Sequence, residues 1–138
     1  MILIDTTPLV ALCDARDSYH ARAVADLDSL KRLRFGVCEA VLVEACFHLA
    51  QPSQRSRLRA FLDKFDVVGL TGTSDSLFWS LVFDWMEKFA DQQPDWADAC
   101  LAVLSAENRK LKIWTYDREF RTTWRRLDGS AIPMAVRG

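Results

Sequence analysis

The sequence predicts an α/β protein, a three-layer α/β/α sandwich with a central, mainly parallel sheet. Short apolar runs alternate along the chain with longer segments of helical periodicity. Strands that are separated by helices pair in parallel through crossover connections, which argues against a helical bundle or a β-barrel. A chain of 138 residues that is 50% hydrophobic has enough apolar material for one core. We therefore expect a single domain over residues 1–138, without internal repeats or linkers.

The first quarter of the chain predicts a strand, two helices and a second strand. The apolar run ILID ends at Asp5 and precedes a helix start, since Pro8 suits a first helical turn. Residues 18–31 predict an amphipathic helix that begins at Ser18 and has an inner face formed by Ala21, Val24, Leu27 and Leu30. Residues 35–37 form a brief strand candidate.

The middle of the chain predicts three more helices around one strand. Residues 39–50 are apolar on nearly every side, as expected of a deeply buried helix that stops at Pro52. Residues 53–64 predict a helix with Leu58, Phe61 and Leu62 on one stripe. A strand follows at VVGL, residues 67–70, and Gly72, Thr73 and Ser74 end it. Residues 75–89 predict a helix with Trp79, Val82, Phe83 and Met86 on its inner face.

The last third of the chain begins with a loop at ADQQP, residues 90–94, and continues with a helix near 96–108. The run LKIW, residues 111–114, predicts a strand. Asp117 to Arg126 predicts a short basic helix. The segment AIPMAV predicts a last edge strand, because Pro133 cannot donate to a central ladder.

Composition limits the classes of function. A net charge of −1 argues against indiscriminate nucleic-acid binding, although bases outnumber acids from Arg109 to Arg137 and a second basic cluster lies at residues 55–59. The four cysteines include no C-x-x-C pair and predict reduced, buried thiols in a cytosolic protein. No apolar run reaches the roughly 18 residues of a membrane helix, and no basic region precedes Asp5. We therefore expect neither secretion nor membrane insertion.

Four acidic residues interrupt or flank apolar segments of the chain: Asp5, Glu44, Asp98 and Asp117. Carboxylates in such surroundings cost free energy unless a cation or another partner neutralises them. Asp5 and Asp117 each follow a predicted strand, and ligands bind at the carboxyl ends of parallel strands. The chain offers acids but no cluster of His or Cys, so Mg²⁺ or Mn²⁺ suits this site better than zinc.

Each acid also has a structural alternative. Asp5 could cap the helix that follows it, and Glu44 could pair with His48 or extend toward solvent. Asp95 lies three residues before the third acid, in the same helical turn, and could be only a helix cap. Asp117 could simply begin a turn.

Five segments occur in a familiar order over nearly the whole chain: MILIDTTPLVAL, DSYHARA, VLVEACFHL, DWADACLAVLSAE and TYDREF. In this order they resemble the PIN domain, and specifically the VapC-type toxin ribonucleases of toxin-antitoxin pairs. The resemblance implies a PIN-like fold and a cytoplasmic, Mg²⁺- or Mn²⁺-dependent endoribonuclease that cuts structured RNA to arrest translation. It also implies a cognate antitoxin as inhibitor and a homodimer.

Carried over to this sequence, the resemblance makes the four acids the catalytic and metal-binding residues. Thr7 and Thr115 match hydroxyls that position a carboxylate or a water. Asp95 could be an auxiliary ligand, and Glu119 could compete with Asp117 for the fourth position. Beside this site, four arginines would contact the RNA backbone unless they only form a solvated helix surface: Arg118, Arg121, Arg125 and Arg126.

Other classes of function stay open at this point. A catalytically inactive PIN-like module that binds RNA or protein would keep the fold and use the acids as caps and surface pairs. A flavodoxin-like phosphoacceptor domain would need a lysine at a strand end, whereas Lys110 and Lys112 flank the start of a strand. A haloacid-dehalogenase-type phosphatase is disfavoured because Thr7 stands where a D-x-D motif needs Asp.

Overall fold

A computed structural model describes residues 1–72 and 74–138 of the chain, so the predicted break at Thr73 lies outside the described residues. Its strands form one parallel sheet in the order β3-β2-β1-β4. They are β1 (Ile2–Ile4), β2 (Phe35–Val37), β3 (Val68–Gly69) and β4 (Lys112–Trp114). In this register Leu3 pairs with Gly36 on one side and with Ile113 on the other. The predicted parallel sheet is confirmed, and each strand lies within its predicted run.

Helices cover both faces of the sheet. They are α1 (Thr6–Cys13), α2 (His20–Leu30), α3 (Glu39–His48), α4 (Pro52–Lys64), α5 (Asp75–Lys88), α6 (Trp96–Glu107) and α7 (Glu119–Thr122), with a short 3₁₀ turn at Ala90–Gln92. The chain steps from β1 to β2 to β3 in one direction and then returns to β4, so right-handed crossovers place α1–α4 on one face and α5 and α6 on the other. Accordingly α1 packs on α2, α3 and α4, while α5 packs on α6. The α/β/α sandwich is confirmed.

The most buried helix of the described chain is α6, and the prediction that residues 39–50 form the deeply buried helix is wrong. Most residues of α6 are buried, from Ala97 to Ser105. By contrast α3 buries only Val41 and Ala45, whereas Val43 is 65% exposed and Phe47 is 80% exposed. The reason is that α3 packs on α1 and α6, while Val43 and Phe47 lie on a side of the helix that is exposed among the described residues.

The inner face of α2 also differs from the prediction. The helix buries Ala23 and Leu30, while Ala21 and Val24 are exposed. Its N-cap is Tyr19 rather than Ser18, and no side chain caps it. Because this segment contains several small residues, either of two sides of the helix could pack on the core. Packing on α1 buries the side that contains Ala23.

The inner face of α5 was predicted only in part. Val82 and Trp85 are fully buried, but Trp79 and Phe83 are more than half exposed. Trp85 also contacts Phe89 and Trp124 in an aromatic cluster. The stripe of α5 that faces the core therefore lies one residue away from the predicted stripe.

Proline residues set two further boundaries. Pro52 begins α4 rather than only ending the helix before it, and the side chains of Gln51 and Gln54 form a reciprocal capping box. The segment around Pro133 makes no regular strand but runs beside β4, where the Ile113 amide donates to the Pro133 carbonyl at 2.8 Å. The predicted helix over 117–126 shortens to α7 because the chain turns to bury Trp124.

All four cysteines are free, as predicted, and three of them are buried. None of the helices in the described ranges is long and apolar enough to cross a membrane.

Candidate metal centre

Asp5 lies at the carboxyl end of β1 and is almost completely buried, with 5% of its surface exposed. One carboxylate oxygen accepts a hydrogen bond from the Thr6 amide at 2.7 Å, so Asp5 is the N-cap of α1. The other oxygen accepts from the Thr115 hydroxyl at 2.7 Å. The Asp5 amide donates to the Trp114 carbonyl at 3.0 Å. Asp5 is therefore a helix cap and, at the same time, is held in the crevice between β1 and β4.

Thr7 and Thr115 hold the segment after β4 against this crevice. The Thr115 hydroxyl accepts from the Asp117 amide at 3.0 Å, and the Thr7 hydroxyl accepts from the Tyr116 amide at 2.9 Å. The two hydroxyl oxygens lie 3.5 Å apart. Through these bonds the acid at the end of β1 and the acid that follows β4 are brought to one rim, where the sheet order reverses.

Glu44 and Asp98 approach the same rim from helices on opposite faces of the sheet. Glu44 is half-buried in the middle of α3, and Asp98 is half-buried in the first turn of α6. Asp95 is the N-cap of α6, because its carboxylate accepts from the Asp98 amide at 2.7 Å. The interpretation of Asp95 as a helix cap is therefore correct. Its role as an auxiliary metal ligand stays a prediction. No ion pair among the described residues joins Glu44 to His48.

Asp5, Glu44 and Asp98 have raised pKa values. Burial, together with the charges of Glu44 and Asp117, raises the pKa of Asp5 to about 7, although hydrogen bonds from Thr115 and Thr6 act to lower it. Burial and the charge of Asp95 raise the pKa of Asp98 to about 8, with contributions from Asp5 and Asp117.

Burial also raises the pKa of Glu44, as do the charges of Asp95 and Asp117, while Thr6 and His48 lower it. The charge of Asp117 therefore acts on each of the other three acids. Glu119, the suggested competitor, is exposed, and its amide donates to the Asp117 carboxylate at 3.0 Å.

The donor set fits a hard divalent cation rather than zinc. Within residues 1–72 and 74–138, no three His, Cys, Asp or Glu side chains are gathered tightly enough to hold a metal by themselves. Mg²⁺ does not require such a cage, because it keeps several waters and usually binds one or two carboxylates. The buried Thr6 hydroxyl lies beside Glu44 and lowers the pKa of that carboxylate, so one more oxygen is present at this rim. Sequence reasoning missed Thr6, although a hydroxyl directly after Asp5 was the available signal.

The four arginines differ in what they can contact. Arg118 and Arg125 are exposed, and Arg118 directly follows Asp117. Arg121 is half-buried, and its guanidinium donates to the Val136 carbonyl at 2.8 Å, so it already anchors the C-terminal segment. The prediction that Arg126 contacts RNA is wrong, because this side chain is 5% exposed and donates to Ser105 near the far end of α6.

Comparisons with known proteins agree with this fold. Residues 2–124 match the family model for the PIN domain. The crystal structure of VapC20 from Mycobacterium tuberculosis, described as a toxin that cleaves the sarcin-ricin loop, matches with a TM-score of 0.70 and 19% identity over 88% of this chain and 94% of that chain. PAE2754 from Pyrobaculum aerophilum matches with a TM-score of 0.52 and 20% identity over 86% of this chain and 80% of that chain.

The two solved structures support the fold alone, since both are distant in sequence, and no curated protein matches the chain. The family match spans most of the chain, including Asp5, Glu44, Asp98 and Asp117, and it supports the resemblance that the five ordered segments indicated. The chain belongs to the PIN domain family.

Proposed function

We propose that this protein is a metal-dependent endoribonuclease, and that it acts in the cytoplasm as the toxin of a toxin-antitoxin pair. The observation that carries the proposal is that Asp5, Glu44 and Asp98 all have raised pKa values to which the charge of Asp117 contributes, so the four acids lie within electrostatic reach of one another near the carboxyl ends of β1 and β4. Membership of the PIN domain family supports nuclease chemistry. The likeness to VapC20, described as an RNA-cleaving toxin, supports RNA as the substrate.

In this proposal the four acids hold Mg²⁺ or Mn²⁺, with Asp95 as an auxiliary ligand. A divalent cation at such a site supplies an acidified water and stabilises negative charge on a phosphate. The chain itself keeps the carboxylates fixed: the Thr115 hydroxyl orients Asp5, and the Thr7 hydroxyl holds the segment that carries Asp117. No side-chain nucleophile is required.

Arg118 and Arg125 are the better candidates for contacts to the RNA backbone, because both are exposed and Arg118 adjoins the acids. Arg121 would act mainly by holding the backbone near Thr115, whose carbonyl lies 3.5 Å from its guanidinium. Phosphate contacts of this kind predict that RNA binding weakens as the salt concentration rises.

An apolar groove between α3 and α5 supports the proposed protein partners. A cavity of about 730 Å³ lies there, lined among others by Val43, Phe47 and Trp79, and it extends to Glu44 and Asp95. An antitoxin segment in this groove would reach the acids. The same exposed apolar surface would also suit a homodimer, since contiguous apolar patches mark interfaces.

The test is cleavage of total cellular RNA by the purified wild-type protein and by Asp98→Asn, each with Mg²⁺, Mn²⁺ or EDTA. A matched control is Asp84→Asn, which removes an exposed acid from α5. We expect discrete fragments from the wild type and the control with either metal, and none from Asp98→Asn or with EDTA. If no protein cuts and calorimetry detects no Mn²⁺ binding, the chain is a catalytically inactive binding module instead.

A further inference from the structure

A stacked pair of tyrosine rings includes Tyr116, the residue that precedes Asp117 of the candidate metal centre. Tyr19, at the start of α2, stacks on Tyr116 with ring centroids 5.0 Å apart and an interplanar angle of 18°. Tyr116 is buried, whereas Tyr19 is 41% exposed. The pair therefore presents an accessible aromatic ring that is supported from behind by a buried one.

Tyr116 is a rigid support because its polar and apolar parts are both fixed. Its hydroxyl donates to the Asp26 carboxylate at 2.7 Å and accepts from the Trp114 indole at 3.1 Å. The Arg22 guanidinium lies 4.6 Å from the centre of its ring. The backbone of Tyr19 is held as well, since its amide donates to Asp17 at 2.9 Å. An aromatic ring fixed in this way loses little conformational entropy when a ligand stacks on it.

The position of this pair connects it to the acids. Tyr116 stands between Thr115, which bonds Asp5, and Asp117, and adjacent Cα atoms are only about 3.8 Å apart. Arg118, two residues further on, is exposed and can contact a phosphate. The chain segment that follows β4 therefore carries an acid of the candidate site, an exposed cation and the ring on which Tyr19 stacks.

We infer that Tyr19 is a stacking platform for an unpaired base of the RNA substrate, close to the bond that is cut. This inference rests on the proposed ribonuclease function. Aromatic rings bind RNA by stacking on bases that are splayed out of a helix, which are found in loops, bulges and single strands. The platform therefore makes the substrate an RNA with an unpaired nucleotide next to the scissile phosphate.

The experiment compares two fluorescein-labelled probes of equal length, an oligouridylate and an oligomer of abasic ribose phosphates that keeps the charges without the bases. Binding is measured by fluorescence anisotropy in Ca²⁺ for the wild type, Tyr19→Ala, Tyr19→Leu and Tyr19→Phe. Leu still covers Tyr116 but offers no ring, and Phe keeps the ring. Phe83→Ala removes another exposed ring, on α5, as a control. Thermal unfolding of each variant reports whether the fold is kept.

Stacking of one base predicts that the wild type binds the oligouridylate about tenfold more tightly than the abasic oligomer. Tyr19→Ala and Tyr19→Leu should lose this preference while keeping the affinity for the abasic oligomer, and Tyr19→Phe and Phe83→Ala should retain it. The inference is overturned if Tyr19→Leu keeps the preference, if both probes weaken equally, or if the wild type shows no preference. Cleavage of total RNA by the wild type is read separately, so failure of the platform and failure of the proposed function are distinguishable.

Discussion

The substitution Thr115→Val tests whether the Thr115 hydroxyl sustains the charge of Asp5. Val keeps the shape of the fully buried side chain but removes the hydroxyl's 3.5 Å contact with Thr7 and its two shorter hydrogen bonds. The first runs from the hydroxyl to the Asp5 carboxylate at 2.7 Å, and the second runs from the Asp117 amide to the hydroxyl at 3.0 Å. The hydroxyl lowers the pKa of Asp5, so its removal should raise that pKa above about 7.

The expected loss of stability depends on pH. A hydrogen bond to a charged group contributes about 1.5–3 kcal/mol, and an ordinary one about 1 kcal/mol. The folded pKa of Asp5, about 7, lies above its unfolded value of 3.8, so the stability that Asp5 contributes is present at low pH and is lost as the pH rises through about 7. We therefore expect Thr115→Val to cost about 3 kcal/mol near pH 9, where Asp5 is ionised, and about 2 kcal/mol near pH 5, where it is neutral and both lost hydrogen bonds are ordinary ones.

Urea unfolding in EDTA at both pH values measures these losses. Thr71→Val, in the exposed loop after β3, is the matched control and should change stability by less than about 0.5 kcal/mol at either pH. An equal loss at the two pH values would refute the reasoning, because it would mean that the hydroxyl does not distinguish charged from neutral Asp5.

Three further predictions follow from charge and burial. Asp98→Asn should stabilise the metal-free protein by about 2 kcal/mol near pH 8, after allowance for solvent screening, and have little effect near pH 4; urea unfolding measures this. Mn²⁺ affinity, measured by calorimetry, should fall as the pH drops below about 7, since protons then occupy Asp5 and Asp98. Arg126→Met should lower the thermal midpoint without changing the salt dependence of RNA binding. Arg118→Ala should leave the thermal midpoint unchanged and reduce the slope of log affinity against log salt concentration by about one unit.

The order of the elements could be predicted because the apolar runs and their breaks are local signals. Each strand is a short apolar segment, and α6 is a continuous apolar helix between two polar ends. The side of a helix that is buried depends on its tertiary contacts, which the local sequence does not reveal. The sequence of α3 is apolar on nearly every side, and only the absence of a partner over Val43 and Phe47 distinguishes its exposed face.

The four acids of the proposed site stand out in the sequence for a similar reason. Asp5, Glu44, Asp98 and Asp117 each interrupt or flank an apolar segment, so a local mismatch marks them. The role of Arg126 was not predictable, because burial against Ser105 depends on how the chain turns after α7. Tyr19 and Tyr116 lie 97 positions apart, and nothing in either local sequence indicates that their rings stack.

The acid cluster also explains why a cation should stabilise the fold. Asp5 caps α1, and Asp98 lies in the first turn of α6, so both carboxylates gain from helix N-termini. Their pKa values are nevertheless raised, to about 7 and about 8, which means that burial and mutual repulsion outweigh the helix dipoles and hydrogen bonds. The folded protein therefore holds these charges at a cost near neutral pH. A divalent cation bound to the proposed site would remove that cost in the folded state only, because the unfolded chain does not bring the four acids together, and its binding would then raise stability by mass action.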